Sequence, residues 1–362
     1  MKKDYPVEEL RIGMVVADNV YDEKHDILIG KGTPLTDQMI FSLLERPIFS
    51  VPILEEQEAK MMPVKEKFVL DNKYMSDYQF ISDKLTVLFQ AIRNRNLDMD
   101  ALEQLVNDPQ LAKLCKGIRA ITQIHNMERP GDYLLHHNLH VGILAGVMGH
   151  WMHWPDQRIR SLVIAGLLHD IGKLWIPDEI LNKPGKLTDE EFATIKNHPM
   201  AGYEFLCQSS LSQEKEILDG VLHHHERNDG SGYPNHFRKE QISDFGHILG
   251  ILDVYDAMVA DRAYAKRSSP FDIFAVISDD IMQGKLDTEY GVTFVKHLCH
   301  AMNGNWVRLT TGEKAKIVYI DEMRVNTLPV VQTESGKFYD LNASRDVKVQ
   351  MLLTYQETQA AN

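Results

Sequence analysis

Thirteen of the chain's 16 histidines fall between His125 and His247, and such crowding marks the middle of the chain for metal or acid-base chemistry. His169 and Asp170 close an apolar run of Leu162, Val163, Ile164, Leu167 and Leu168. A carboxylate desolvated at the end of such a run needs a positive or hydrogen-bonding partner; a buried His-Asp pair is one answer and a metal ion is another. The dipeptide has company. His136, His137 and His140 lie in Tyr133 to Trp151, His198 precedes Pro199, His223-His224-His225-Glu226 ends another apolar stretch, and Asp253 sits inside the run from Ile248 to Asp256. Singly, each reads as a satisfied core residue or a solvated one rather than as a ligand. Together, imidazoles and carboxylates on successive amphipathic helices are what a bundle needs to build a metal centre between facing helices.

The elements that must position these residues are helical from about residue 75 to 302. Phe80, Leu85, Leu88, Phe89 and Ile92 form one apolar stripe and Leu111, Leu114, Ile118, Ile121 and Ile124 a second, both predicted to be core. The stretches from Tyr133 to Trp151 and from Gln157 to His169 continue the series, with Pro155 and Pro177 as breaks. Residues 1–60 read as a small α+β module: β-rich stretches at Gly13 to Val20 and Asp26 to Gly30, a helix from Thr36 to Glu45, and a returning strand from Ser50 to Leu54. A charged stretch from Glu55 to Lys67 opens the join, and residues 61–74 are assigned to a linker. Beyond residue 303 the period changes again, with β-rich runs at Trp306 to Thr310, Ala315 to Ile320 and Leu328 to Gln332. The outer segments are both short and β-rich, which suits them to pack on one another. The fold class predicted is mainly α, a helical bundle with small β-rich N-terminal and C-terminal segments.

Composition narrows the function. With 362 residues the chain exceeds what one core organises, so two or three domains are expected. A formal charge of −13 argues against long nucleic acids as partners while leaving room for a small anion in a locally basic pocket. Cys115, Cys207 and Cys299 form no CxxC pair, which supports neither a disulfide framework nor a thiolate metal site. No run approaches the ~18 apolar residues of a membrane span and no signal-like apolar segment opens the chain, so a reducing cytoplasm is the expected location.

Several longer motifs, in order, resemble the HD-GYP family, a bacterial branch of the HD-domain metal phosphohydrolases. They are His169-Asp-Ile-Gly-Lys173 with Ile176-Pro-Asp178, Lys183-Pro-Gly185 followed by Leu187-Thr188, His198-Pro199, His224-His-Glu-Arg-Asn-Asp-Gly-Ser-Gly-Tyr-Pro234, and Asp253-Val-Tyr-Asp-Ala257 with Arg262. The resemblance covers roughly residues 130 to 302 and implies an HD-domain helical bundle as the catalytic domain, 75–302. It implies His137, His169, Asp170, His198, His224, His225 and Asp253 as metal ligands. Seven ligands exceed the demand of one open ion, so two divalent cations bridged by Asp170 are expected. Oxygen and imidazole donors without thiolate suit iron or manganese, with zinc or nickel as alternatives.

The activity implied is hydrolysis of cyclic di-GMP to pGpG, and onward to GMP, by a hydroxide bridging the two metals, with Asp170 and Lys173 as the catalytic pair. If the helix ending at His169 continues, the Lys173 ammonium points into the same site to hold a phosphoryl or leaving oxygen. Arg262 is a candidate for the second phosphate. Gly230 and Gly232 are read as positive-φ turn residues, and Gly232 and Tyr233 as bordering the substrate groove or a docking surface for a diguanylate cyclase. Glu226, Arg227, Asp229 and Asp256 read as supporting residues; His136, His140 and His223 have no assigned role.

Three departures from the family pattern stand out. Tyr133 occupies the position where some members place a glutamate for a third metal, which predicts a binuclear site. Ala265 replaces a basic residue, with Lys266 as the substitute phosphate contact, and Asn228 stands where a Trp is usual. A cyclic di-GMP sensor or partner-binding module without hydrolysis therefore stays open, as does hydrolysis of another cyclic dinucleotide. The segment 1–60 resembles the small domain preceding some HD-GYP domains, for which a regulatory or homodimerising role is expected.

Overall fold

The computed structural model describes residues 2–7, 10, 14–22, 25–44, 46–54, 72–116, 119–126, 132–259, 270–321, 327–344, 346–353 and 357. At the N-terminus β1 (Lys2–Pro6) runs antiparallel to β4 (Ser50–Leu54), and β2 (Val20–Tyr21) to β3 (Ile27–Ile29), with α1 (Asp37–Leu44) joining β3 to β4 along the chain. Val16, Leu28, Ile29, Leu35, Met39, Leu43, Val51 and Ile53 close a small core there.

The helical part comprises α2 (Asn72–Arg93), α3 (Met99–Val106), α4 (Pro109–Leu114), α5 (Arg119–Asn126), α6 (Tyr133–Trp151), α7 (Asp156–Leu168), α8 (Asp178–Leu181), α9 (Asp189–Lys196), α10 (His198–Cys207), α11 (Lys215–His223), α12 (Asp244–Val259), α13 (Pro270–Met282) and α14 (Thr288–Met302). Pro155 and Pro177 stand at the N-caps of α7 and α8, where the missing amide proton costs nothing. Asp132 starts α6 by accepting from Leu134 and Leu135 N–H, and a reciprocal Thr188/Glu191 box starts α9.

Two expectations about the first helices need correction. The buried face of α2 is Tyr78, Ile81, Leu85, Leu88, Phe89 and Ile92. Phe80 falls off that stripe, is 42% exposed, and carries the Lys84 ammonium over its ring. The second stripe is divided: α4 ends at the Cys115 cap and α5 begins at Arg119, with Ile118 outside the described residues.

α6 is buried along nearly its whole length, as befits a central helix wrapped on all sides. It touches α7 backbone to backbone, since a Cβ on Gly166 would lie 2.9 Å from Gly142 Cα. That approach fixes the turn of α6 bearing His137 against the end of α7 bearing His169.

The C-terminal strands β5 (Trp306–Leu309), β6 (Lys314–Tyr319), β7 (Val330–Thr333), β8 (Phe338–Asp340) and β9 (Val349–Leu352) form an antiparallel sheet of order β8-β7-β6-β5-β9. Its two faces serve different cores: Ile317 joins the helical core while Val318, with Tyr319 and Val330, joins the N-terminal one. Gly30 N–H also donates to Val318 O at 3.1 Å. The two outer β-rich segments do pack on one another.

Candidate metal centre

All seven side chains named from the sequence as ligands converge. The donor atoms of His137, His169, Asp170 and Asp253 lie within 4.8 Å of one another, as do those of Asp170, His198, His224 and His225. Asp170 is common to both groups. Its Oδ1 lies 3.0 Å from His198 Nε2 and 3.6 Å from His224 Nε2, and its Oδ2 lies 3.4 Å from His137 Nε2 and 3.6 Å from His169 Nε2.

Helix ends explain the aim of these imidazoles. The last carbonyls of a helix lack intrahelical donors. His169, the C-cap of α7, donates Nδ1–H to Gly166 O at 2.8 Å; His224, the C-cap of α11, donates to Val221 O at 2.7 Å; and His198, just past α9, donates to Ile195 O at 2.6 Å. Each bond runs three residues back, satisfies a terminal carbonyl and fixes the tautomer, so that Nε2 presents a lone pair inward. His137 reaches the same state differently, by donating Nδ1–H to Asp256 Oδ2 at 2.8 Å.

Lone pairs consequently face lone pairs. His137 Nε2 is 3.2 Å from His169 Nε2 and 3.1 Å from Asp253 Oδ1, and His198 Nε2 is 3.2 Å from His224 Nε2. Asp170 Oδ1 and His225 Nε2 are buried with no hydrogen-bond partner among the described residues. Acceptors converging on one another in a dry interior are costly unless a cation lies among them. The donor set, imidazole nitrogen and carboxylate oxygen, fits divalent metal ions.

The acid-base state agrees. Burial drives His169 down to about 3 and His198 to about 4, and holds His225 well below the ordinary histidine range, so all three stay neutral. Burial penalises charge on Asp170 and Asp253 too, but the Lys173 ammonium and nearby imidazoles outweigh it at Asp170, and His137 and His225 at Asp253, so both carboxyls lie well below their usual range. At His137 burial is overcome by Asp170, Asp253 and Asp256, which raise it well above an ordinary histidine. These carboxylates draw a positive charge, proton or metal, onto its inner nitrogen.

Lys173 reaches Asp170 Oδ2 by a route other than the one expected. α7 stops at Leu168, and a 3-10 turn, Ile171–Trp175, carries the lysine back, with its N–H on Asp170 O at 2.9 Å. Although buried, Lys173 is raised above its ordinary value by Asp170 and Asp253 and remains an ammonium.

The 226–237 loop folds over the second group. Tyr233 stacks on His225 with ring centroids 4.5 Å apart, and Lys196 lies over the other aromatic contacts of this rim, 5.3 Å from the Tyr233 centroid and 4.6 Å from that of Phe192. Glu226 accepts N–H bonds from Asn235 at 2.7 Å and Phe237 at 3.0 Å, and so ties the loop down. Gly230 has φ +82, but Gly232 is not among the positive-φ residues. Gly232 is instead a point of close approach, where a Cβ would sit 2.4 Å from His225 O and Arg227 N. Asn228 holds the loop through its backbone, donating N–H to Lys285 O at 2.8 Å. Tyr133 lies flat on His137, centroids 5.6 Å apart. Arg262, Ala265 and Lys266 lie outside the described residues.

The sequence gives His140 no role and does not mark Tyr78. A signal existed for part of this: His137/His140 and Asp253/Asp256 are both i,i+3 pairs, so each helix presents two polar groups on one face. Nothing in the sequence pointed to Tyr78.

Comparison with known proteins places this geometry in a family. A family model described as "HD domain" matches residues 109–289, half of the chain. The chain is 35% identical over 201 residues to the "Cyclic di-GMP phosphodiesterase PA4108" of Pseudomonas aeruginosa, covering 56% of this chain and 48% of that one. It is 46% identical over 183 residues to a "Cyclic di-GMP phosphodiesterase" of Vibrio cholerae, covering 47% and 36% respectively. It is also 44% identical over 128 residues to the "3'3'-cGAMP-specific phosphodiesterase 2" of the same organism, covering 35% and 24%. The chain thus spans about half the length, or less, of these relatives. With the motif from His224 to Pro234 folded over the paired His and Asp groups, the chain belongs to the HD-domain family, in its HD-GYP branch.

Proposed function

We propose that the chain is a metal-dependent phosphodiesterase that hydrolyses cyclic di-GMP to pGpG. The observation that carries this reading is the convergence of seven side chains, spread from His137 to Asp253, into two ligand groups that share Asp170. His137, His169, Asp170 and Asp253 would hold one divalent cation, and Asp170, His198, His224 and His225 the other. Iron or manganese suits the donors best, ahead of zinc and nickel. Two divalent cations at these positions supply Lewis acidity toward water and toward phosphoryl oxygens.

The chain's own residues do the rest. Asp170 bridges the groups and holds Lys173, whose ammonium stands beside the proposed cations and neutralises a non-bridging or leaving oxygen. Burial keeps His169, His198 and His225 neutral, so no proton has to leave them when a cation binds. Tyr233, stacked on His225, gives the groove an aromatic wall, and Arg262 with Lys266 is proposed to meet the second phosphate. Residues 75–302 form the catalytic domain in this reading, with 1–60 as a regulatory module and 303–362 as a C-terminal β-rich segment. No helix of the described residues is long and apolar enough to cross a membrane.

Anaerobically purified chain loaded with iron or manganese should convert cyclic di-GMP to pGpG, resolved by ion-pair chromatography. Absence of product with every metal and in both oxidation states of iron would refute the proposal, and tight binding without product would identify a sensor. The similarity to a 3'3'-cGAMP phosphodiesterase favours a second substrate reading, which side-by-side rates on the two dinucleotides decide.

A further inference from the structure

One polar chain runs away from the metal centre through the core. His137 Nδ1 bonds Asp256 Oδ2 at 2.8 Å, His140 Nδ1 bonds Asp256 Oδ1 at 3.0 Å, Tyr78 Oη lies 2.9 Å from His140 Nε2, and His136 Nδ1 lies 2.8 Å from Tyr78 Oη. Tyr78 is 2% exposed, and His140 and Asp256 are fully buried.

The proton positions follow from chemistry. A carboxylate only accepts, so both His137 and His140 place their proton on Nδ1. In its neutral form His140 then has a lone pair at Nε2 that accepts from the Tyr78 hydroxyl, and the Tyr78 oxygen accepts in turn from His136 Nδ1–H. The hydroxyl is the link that orients His140, and His140 with His137 grips Asp256 from both oxygens. Carboxylates behind a ligating histidine set its ring orientation and basicity, and losing such a partner typically costs 10–100-fold in metal affinity.

Tyr78 belongs to α2, outside the residues 109–289 that match the HD-domain model. We propose that Tyr78 is a positioning residue of the metal centre, acting on His137 through His140 and Asp256. This inference rests on the metal-centre reading above. It makes the cation held by His137 sensitive to the seating of α2, a helix that the family model does not include.

The test uses the full chain, stripped of metal and titrated with Co2+ alone while its visible absorption is followed. Wild type is expected to take up two ions. Tyr78→Phe should bind one of them about tenfold more weakly and leave the other unchanged. His140→Asn keeps an amide donor toward Asp256 but loses the link to Tyr78, and should weaken the same ion; in that background Tyr78→Phe should have no further effect. Ile81→Ala, a cavity on the same buried face of α2, should lower Tm without this selective loss. Wild-type affinities in Tyr78→Phe, additive effects in the double variant, or the same selective loss in Ile81→Ala would each overturn the inference while leaving the metal centre standing. If Tyr78→Phe does not fold, His140→Asn decides alone, unchanged Co2+ affinity overturning it. A wild type that takes up no Co2+ would remove the metal-centre reading and this inference with it.

Discussion

Asp170→Asn is the sharpest perturbation, because this carboxylate is shared by both groups and has no exposure to solvent. The substitution preserves shape, removes one negative charge, and turns one oxygen into an N–H2 donor aimed at imidazole lone pairs about 3 to 3.6 Å away. Breaking a buried charge pair by removing one partner costs about 3–5 kcal/mol, or roughly 10²- to 10⁴-fold in affinity. Both cations should suffer, since each loses a ligand and the charge that offsets the other. Asp253→Asn is the internal control: Asp253 belongs to only one group, so one ion should be lost and one retained. Metal content by plasma mass spectrometry, calorimetric titration with Mn2+ and far-UV circular dichroism on the same samples separate ligand loss from unfolding. Folded Asp170→Asn that keeps two ions at wild-type affinity would refute the shared-ligand argument, and so would Asp253→Asn that loses both.

Lys173→Met should retain both metals and lower kcat roughly 10²- to 10³-fold with little change in KM, the cost of removing one charge that acts mainly in the transition state; an unchanged kcat sinks the assignment. Gly172→Ala would place a Cβ 2.0 Å from His198 O and 2.8 Å from His198 C. No rotamer change relieves a backbone clash, so a loss of about 1–3 kcal/mol or more is expected by urea melting, together with weaker binding of the ion held by His198. His223 provides the pH test. Burial lowers it from 6.5 to about 4, and its Nδ1 accepts Ser243 N–H at 3.2 Å. The unfolded chain therefore takes up a proton that the native chain refuses, and stability falls as pH drops from 6.5 toward 4, by on the order of 2 kcal/mol at pH 5. Urea titrations of metal-free protein at pH 7 and 5 should show a smaller drop in His223→Leu; equal drops would exclude His223 as the source.

Helix boundaries around the site were legible because proline breaks and apolar stripes are local signals: Tyr133 to Trp151 is α6 to the residue. The ligand positions were legible because histidines and aspartates at helix ends are conspicuous against apolar runs. Phe80 misled because a hydrophobic identity five residues before Leu85 was counted into a stripe whose true members are three or four residues apart. Nothing local to the sequence ends the helix before Lys173, yet Asp170 has already left α-helical geometry at φ −105 and ψ 9. Gly232 has the sequence context of a turn glycine, whereas its hydrogen is required by backbone packing that no local pattern encodes. Tyr78 was invisible for a different reason. Its partners lie 58 and 62 residues away, and one tyrosine on an amphipathic helix carries no mark of what it will meet.

The three histidines that donate to carbonyls three residues back suggest why this site is built from helix ends. A ligand in mid-helix finds every nearby carbonyl already engaged, and so needs a side chain to fix its tautomer; His137, within α6, duly needs Asp256. At a helix terminus the backbone supplies the acceptor, and the same bond that satisfies the carbonyl also aims the ring. Three ligands are thereby oriented by atoms that no side-chain substitution removes, whereas His137 depends on a carboxylate, a histidine and a tyrosine. The vulnerable point of the centre is therefore His137. Substitutions around it should alter metal affinity over a graded range, whereas the group built on His198 and His224 should respond chiefly to changes that move whole helices, as at Gly172.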